Sequence, residues 1–355
     1  MTSSHSRRSL WLRVVILTLL LSLTLLCSFT SAADAPATDG LNEELDRRID
    51  NGLAFLAKSQ NPDGSFDGVA APKCAATGLS LMSFLAAGHV PDAGKYRDNV
   101  RAAIDFLIKQ AQPDGYFGRA DGSRMYGQGI VTLALTEAYG VEDAERRQKL
   151  RPVLQSALKL IYQAQDVAKG EAFAGGWRYE PGAADSDMSL TGWNALALRA
   201  AQNAGFDVPK DRVKRAAQFV LKCYIPAQKG FAYQPGGGAT PGITGIAVLS
   251  LYLLDSIEHP ELAEAAKYLA TNAVTEDTPM FHYSLYYATQ AAFQAGEPTW
   301  PPLWVNARQR LSNLQMPDGG WPVSKVGQEP GRIYATAMAL LTLEVPYRLL
   351  PIYQR

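Results

Sequence analysis

Two kinds of helical stretch alternate along this chain. In one kind, apolar residues recur at helical spacing among charges, as in RRQKLRPVLQSALKL (146–160) and around Leu53, Phe55 and Leu56. In the other, nearly every position is apolar or small, as in CAATGLSLMSFLAAG (74–88), ITGIAVLSLYLL (243–254) and IYATAMALLTLEV (333–345). A helix with one apolar stripe covers a core, whereas a helix apolar all round is buried on every side. The pattern therefore predicts outer helices wrapped around inner ones.

The turn between the two kinds recurs as well. FLAKSQNPDGSF (55–66), FLIKQAQPDGYF (106–117) and RLSNLQMPDGGW (310–321) each end a charged helix at Pro-Asp-Gly, with an aromatic two residues after the first Gly. Pro stops the helix, Asp favours a turn and Gly supplies a positive φ. Further pairs turn at GGWRYEPG (175–182) and KGFAYQPGGG (229–238), and a worn fifth pair joins HPELAEAAKYLATNAV (259–274) to FHYSLYYATQAAFQAG (281–296). Within the apolar helices a column appears: Thr77-Gly78, Gln128-Gly129, Thr191-Gly192, Thr244-Gly245 and Thr336-Ala337, broken in the fifth pair at Leu285-Tyr286. Gly inside a helix costs roughly 1 kcal/mol relative to Ala, so small residues in register imply close helix approach. Six stacked helix pairs can close or stay open. The expected fold is all-α, a single closed α6/α6 toroid over residues 44–350, with an open solenoid as the rival arrangement.

The N-terminus has a different pattern. Arg7, Arg8 and Arg13 lead into VVILTLLLSLTLLCSF (14–29) and then SAADAPA (31–37). That order is a secretory signal over residues 1–33, cleaved after Ala32 or Ala33, followed by a linker over 34–43. The protein is expected to be secreted or periplasmic, and membrane-anchored only if the segment stays uncleaved. Beyond it lie just two cysteines, Cys74 and Cys223. Neither sits in a Cys-x-x-Cys or Cys/His cluster, so free buried thiols are expected and no metal or other cofactor. Lys+Arg and Asp+Glu are both 34, which gives no electrostatic case for a nucleic-acid partner.

Gly52, Phe55, Leu56, Gln60, Gly64 and Phe66 resemble the Gln-Trp repeat of squalene–hopene cyclases, as do Gln315, Gly319 and Trp321. The region from Leu41 to Tyr347 is similar to the toroid of terpenoid cyclases and protein prenyltransferases. The resemblance implies architecture before activity. Family cyclases protonate their substrate from the middle of an Asp-x-Asp-Asp stretch. Asp185-Ser186-Asp187 covers three of those positions, but Met188 stands at the fourth. The family's transferases hold zinc with an Asp-x-Cys pair that this chain lacks.

Asp187 has an alternative role as N-cap of the third inner helix. If the apolar helices form the inner ring, their first turns line one mouth of it. That places Arg124, Tyr126, Asp185, Asp187, Trp193, His282, Tyr283, Arg332 and Tyr334 there, with Asp185 and Asp187 as the candidate catalytic groups and the rest as ligand contacts. Such a mouth suits an apolar or sugar ligand oriented by a few polar groups. With both family motifs incomplete, the leading expectation is an exported protein without squalene-type cyclase activity. It would bind an apolar or isoprenoid-like ligand, or a protein partner. A terpenoid cyclase or transferase-like enzyme is the alternative. A carbohydrate-active α/α-barrel enzyme is the second alternative, using paired carboxylates or an Arg/Tyr/His set.

The export expectation is checked on protein from its native host: N-terminal sequencing should begin near Ala33 or Asp34. An intact Met1 on membrane-bound protein would show an anchor instead.

Overall fold

The computed structural model describes residues 41–67, 73–326 and 329–354. The expected signal, and the linker up to residue 40, lie outside the described residues. Twelve α-helices follow in six pairs: α1 (Glu43–Ser59) and α2 (Lys73–Ala86), α3 (Arg97–Gln110) and α4 (Arg124–Val141), α5 (Ala144–Asp166) and α6 (Met188–Asn203), α7 (Lys210–Lys222) and α8 (Pro241–Leu253), α9 (Pro260–Thr271) and α10 (Phe281–Ala295), α11 (Trp300–Leu314) and α12 (Arg332–Leu343). The strands among the described residues are two residues each, Tyr224–Ile225 paired antiparallel with Gly230–Phe231. No described helix is long and apolar enough to cross a membrane.

The even-numbered helices pack in order, α2 on α4, α4 on α6, and so on, and α12 packs back on α2. The ring is closed, with the odd-numbered helices outside it. The small-residue column explains how the inner helices approach. A Cβ on Gly78 would meet Ile130 at 2.9 Å, one on Gly129 would meet Trp193 at 2.9 Å, and one on Gly245 would meet the Ala288 backbone nitrogen at 2.7 Å. Each column glycine thus faces the next inner helix.

The hydroxyl or amide beside that small residue has a second task. Thr77 Oγ1, Gln128 Oε1, Thr191 Oγ1, Thr244 Oγ1 and Thr336 Oγ1 accept the backbone N–H of Phe66, Phe117, Trp177, Phe231 and Trp321, at 2.9–3.2 Å. The aromatic after each turn is pinned to the inner helix of its own pair. Trp177 and Trp321 also fold back so that Nε1 donates to Ile161 and Leu311 carbonyls on the preceding outer helices, both at 2.8 Å.

The turn glutamine joins one pair to the next. Gln60 Nε2 donates to Gly64 O of its own turn and to Asn99 O on α3, at 2.9 and 3.0 Å. Gln165 does the same to Gly175 O and Arg212 O on α7, and Gln315 to Gly319 O and Arg48 O on α1. The last of these spans the ends of the chain and closes the ring. In the second pair the turn position is Ala111, and Gln128 reaches out from the inner helix to Gly115 O and Ala157 O instead. That double duty is why the column carries Gln there in place of Thr. The turn glycines have positive φ and lie against a neighbour: Cβ atoms on Gly64, Gly115, Gly175 and Gly319 would fall 2.2–2.3 Å from carbonyl oxygens of the next outer helix.

The C-terminal ends of the inner helices are covered by the turn at Pro351–Tyr353, which packs on α6. Beneath it, Glu137 is buried and accepts the Ile352 backbone N–H. Burial pushes its carboxyl up to about 8, and burial pushes Glu344 nearby in sequence to this turn well up too. Cys74 and Cys223 are both buried and free, and burial raises the Cys223 thiol to about 12.

Two stability measurements check this packing. Gly319→Ala adds a left-handed backbone cost and a backbone clash, so urea unfolding should show a loss of about 2–4 kcal/mol. Gly205→Ala has φ +78 and no atom within 4 Å of its Cβ, and should lose only about 1 kcal/mol. Equal losses would mean the turn glycine is not a contact point. The second concerns Glu137, whose folded carboxyl titrates above its unfolded value. Native and unfolded chains both hold its proton at low pH. As pH rises toward 8 only the unfolded chain releases it, so native stability falls by roughly 1 kcal/mol per pH unit relative to Glu137→Gln. Parallel stability curves for the two proteins between pH 5 and pH 8 would refute the buried neutral acid.

Candidate functional site

All six inner helices begin at the same end of the ring, and their first turns enclose a cavity of about 660 Å³. Helix starts leave N–H groups without intrahelical partners. Here the loop of the following pair supplies several of the missing acceptors. Cys74 N donates to Asp121 Oδ2 at 2.7 Å, Met125 N to Tyr179 O at 3.0 Å, Met188 N to Tyr233 O at 2.9 Å and Met280 N to Val326 O at 3.2 Å. Each loop is thereby drawn over the neighbouring helix start, and the side chains of Tyr179 and Tyr233 become cavity wall.

Of the residues expected at the mouth, Arg124, Tyr126, Trp193, Tyr283 and Tyr334 line the cavity. Trp193 stacks on Tyr286 at 6.4 Å between centroids and 13° between planes, with Tyr287 edge-on at 5.5 Å, so the floor is aromatic. Burial pushes the hydroxyls of Tyr126, Tyr233, Tyr283 and Tyr334 above the usual tyrosine value. The wall presents neutral phenols, not phenolates. Arg124 sits at the rim with φ +54, its Nε 3.1 Å from Glu180 Oε1 in an ion pair more than half exposed on both sides. Pairs so exposed contribute little, which leaves the guanidinium available to a ligand. Met280, with φ +53, is a second strained wall residue. Such backbone strain gathers where a chain is held to a task.

Asp187 lies behind the wall, fully buried. It caps α6, Oδ1 accepting Leu190 N at 2.9 Å and Ser189 Oγ–H at 2.7 Å. Oδ2 accepts Arg178 Nη1 at 2.7 Å. Asp185 is partly exposed and takes the same guanidinium at Nε, 3.1 Å away. Arg178 also donates to Tyr233 Oη at 2.8 Å and lies over the Tyr179 ring, 4.5 Å from its centroid. Both carboxylates therefore hold Arg178 in place behind the wall tyrosines Tyr179 and Tyr233. Asp187 is arranged to accept, not to present an acidic proton to a ligand.

His282 and Arg332 stand away from the cavity lining. His282 is buried at the start of α10, where Glu329 caps the helix: Oε1 accepts His282 N at 2.8 Å and Oε2 pairs with His282 Nδ1 at 2.9 Å. Burial pushes the Glu329 carboxyl up, and bonds from His282 and Ser324 outweigh it and hold it below the usual range. Arg332 makes a bidentate pair with Asp318 and covers the Phe55 ring, so it fastens a turn of the repeat. Among the described residues no three His, Cys, Asp or Glu side chains gather as metal ligands would.

Sequence reasoning missed Tyr179, Tyr233, Arg178 and Ser189. A signal was present: Trp177-Arg178-Tyr179 and Phe231-Ala232-Tyr233 place a tyrosine two residues after the pinned aromatic in successive repeats.

No protein-family model matches the chain, and no curated protein matches it. Solved structures share its fold. The α-1,6-mannanase of Salegentibacter sp., in an inactive variant bound to α-1,6-mannotriose, superposes with a TM-score of 0.65 at 8% identity, covering 86% of this chain and 99% of that one. A D-mannose isomerase gives 0.58 at 16% identity over 85% and 97%. A type II terpene cyclase from Scytonema, bound to geranylgeranyl dihydroxybenzoate, gives 0.57 at 14% identity over 86% and 98%. These likenesses establish an α/α toroid. They also correct the leading expectation, a binder of an apolar or isoprenoid-like ligand or a protein partner without squalene-type cyclase activity: the structures aligning at 0.65 are of an α-1,6-mannanase, which stands nearer the carbohydrate-active alternative, and the terpene cyclase aligns less well.

Proposed function

We propose that this chain is an exported carbohydrate-active enzyme acting on a glycan held in the tyrosine-walled cavity. The observation that carries the reading is the wall itself. It combines ring faces, on which the C–H faces of a sugar stack, with neutral phenols and an arginine that bond sugar hydroxyls. A purely hydrocarbon ligand would leave the buried Tyr283 hydroxyl, which has no hydrogen-bond partner among the described residues, unmatched. Similarity to a mannanase and a mannose isomerase supports the same substrate class.

The chemistry is not a copy of the mannanase. That protein is inactivated by substituting two aspartates adjacent in number, and this chain has no two adjacent aspartates. Nor is there an Asp or Glu among the residues lining the cavity. Paired carboxylates on either side of a glycosidic bond are therefore missing from the wall.

A panel of glycans tests the reading, with α-1,6-linked mannooligosaccharides first and other mannans, glucans and uronic-acid polymers beside them. Products are followed by chromatography and mass spectrometry, which detect cleavage, elimination and isomerisation alike. Turnover of a glycan is expected, falling roughly 10-fold in Tyr179→Ala, which removes a ring from the wall and not from the barrel floor. Conversion of a polyprenyl substrate, with every glycan untouched, would overturn it.

A further inference from the structure

Three groups stand in file from the cavity into the core. Tyr126 Oη is 2.8 Å from Ser189 Oγ, and Ser189 Oγ is 2.7 Å from Asp187 Oδ1. Tyr126 and Ser189 both line the cavity, while Asp187 has no exposed surface and cannot touch a ligand. The proton positions follow from chemistry. A carboxylate only accepts, so the single Ser189 proton points at Asp187. Ser189 must then accept from Tyr126, and the Tyr126 proton points inward as well. What Tyr126 has left to offer is an oxygen lone pair, on the side of the cavity that it shares with the Tyr179 hydroxyl. Tyr283 differs, since its hydroxyl has no hydrogen-bond partner among the described residues.

We infer that Tyr126 is the catalytic base of this cavity, and that Ser189 and Asp187 are positioning groups that relay its proton into the core. The identity of the substrate rests on the glycan reading above; the relay does not. When a substrate hydroxyl, or a water on the sugar, gives its proton to Tyr126 Oη, the original Tyr126 proton passes to Ser189 Oγ. The Ser189 proton passes in turn to Asp187 Oδ1. The substrate oxygen keeps the electron pair as a nucleophile, and the negative charge has moved from Asp187 to it. No oxidant or further reactant is needed. Burial keeps Tyr126 a neutral phenol at rest, so these transfers run together and not through a standing phenolate. Arg178 fixes the far oxygen of Asp187 and, through Asp185 on its Nε, is itself fixed. The buried carboxylate thus supplies basicity to a wall that contains no carboxylate.

The test uses phenylmethanesulfonyl fluoride, which needs no knowledge of the substrate. Labelling forms an S–O bond to Tyr126 and breaks S–F, fluoride leaves, and the phenol proton goes down the relay. Peptide mass spectrometry should show Tyr126 labelled faster than Tyr179 and Tyr233, which line the same cavity. Ser189→Ala and Asp187→Asn should each slow that labelling roughly tenfold or more, and Ser189→Thr should restore it. Asp187→Asn keeps the α6 cap through its amide oxygen but gives up the charge paired with Arg178, so its Tm should fall; Ser189→Ala leaves the cap and the ion pair in place, and slowed labelling there with a nearly unchanged Tm separates the relay from the fold. Tyr126 unlabelled, or labelled at the same rate in all variants, overturns the inference. Where the panel yields a glycan substrate, Tyr126→Phe should lower kcat about 100-fold with KM nearly unchanged. A retained kcat there also overturns it. Relay-dependent labelling in a protein that turns over no glycan would leave the relay standing and remove the sugar.

Discussion

A glutamine amide that bridges the carbonyl of its own turn glycine and a carbonyl on the next outer helix holds one repeat to the next. It does so at four of the six junctions, through Gln60, Gln128, Gln165 and Gln315. The turn-glycine carbonyl lies outside any helix and would cost free energy if buried without a partner, while the helix carbonyl accepts at a lone pair that its intrahelical bond leaves free. The glycine allows the approach because its neighbour's carbonyl occupies the place of a Cβ. Satisfying the turn therefore requires the adjacent pair in one register. That requirement, repeated and finally met between Gln315 and Arg48, turns six helix pairs into a closed ring.

Ring closure creates the cavity. Six inner helices held in one register all begin at the same end, and the loops that complete their N-termini come from the following pair. The wall is thus assembled from groups far apart in sequence, such as Tyr126, Tyr179, Tyr233 and Tyr334. No single pair could place them.

Architecture was legible from sequence because it rests on local signals that repeat. The Pro-Asp-Gly turns, the Thr-Gly column and the apolar inner helices each recur along the chain, and each proved to be a contact between repeats. The site was partly legible for the same reason. First turns of inner helices had to line the mouth, so Tyr126, Trp193, Tyr283 and Tyr334 were found by position alone. Direction of a side chain is set by neighbours and not by spacing. His282 and Arg332 lie in the same register as wall residues, yet Glu329 and Asp318 draw them elsewhere. Tyr179 and Tyr233 were missed because they lie on loops whose path depends on capping a helix in another repeat.

The toroid constrains chemistry less than it constrains shape. A mannanase, a mannose isomerase and a terpene cyclase share it, so the distinguishing choice lies in what each wall presents to a ligand. This wall presents neutral hydroxyls over an aromatic floor, with its nearest buried carboxylate occupied as a helix cap. A bare Asp187 in the cavity would lose the Leu190, Ser189 and Arg178 donors that make its burial affordable. Placing it one hydroxyl behind the surface keeps those donors. It also leaves the ring faces of the wall free for the ligand. Capping and proton acceptance use the same carboxylate oxygen, Oδ1, so the stability of α6 and the basicity of the site are supplied by one residue.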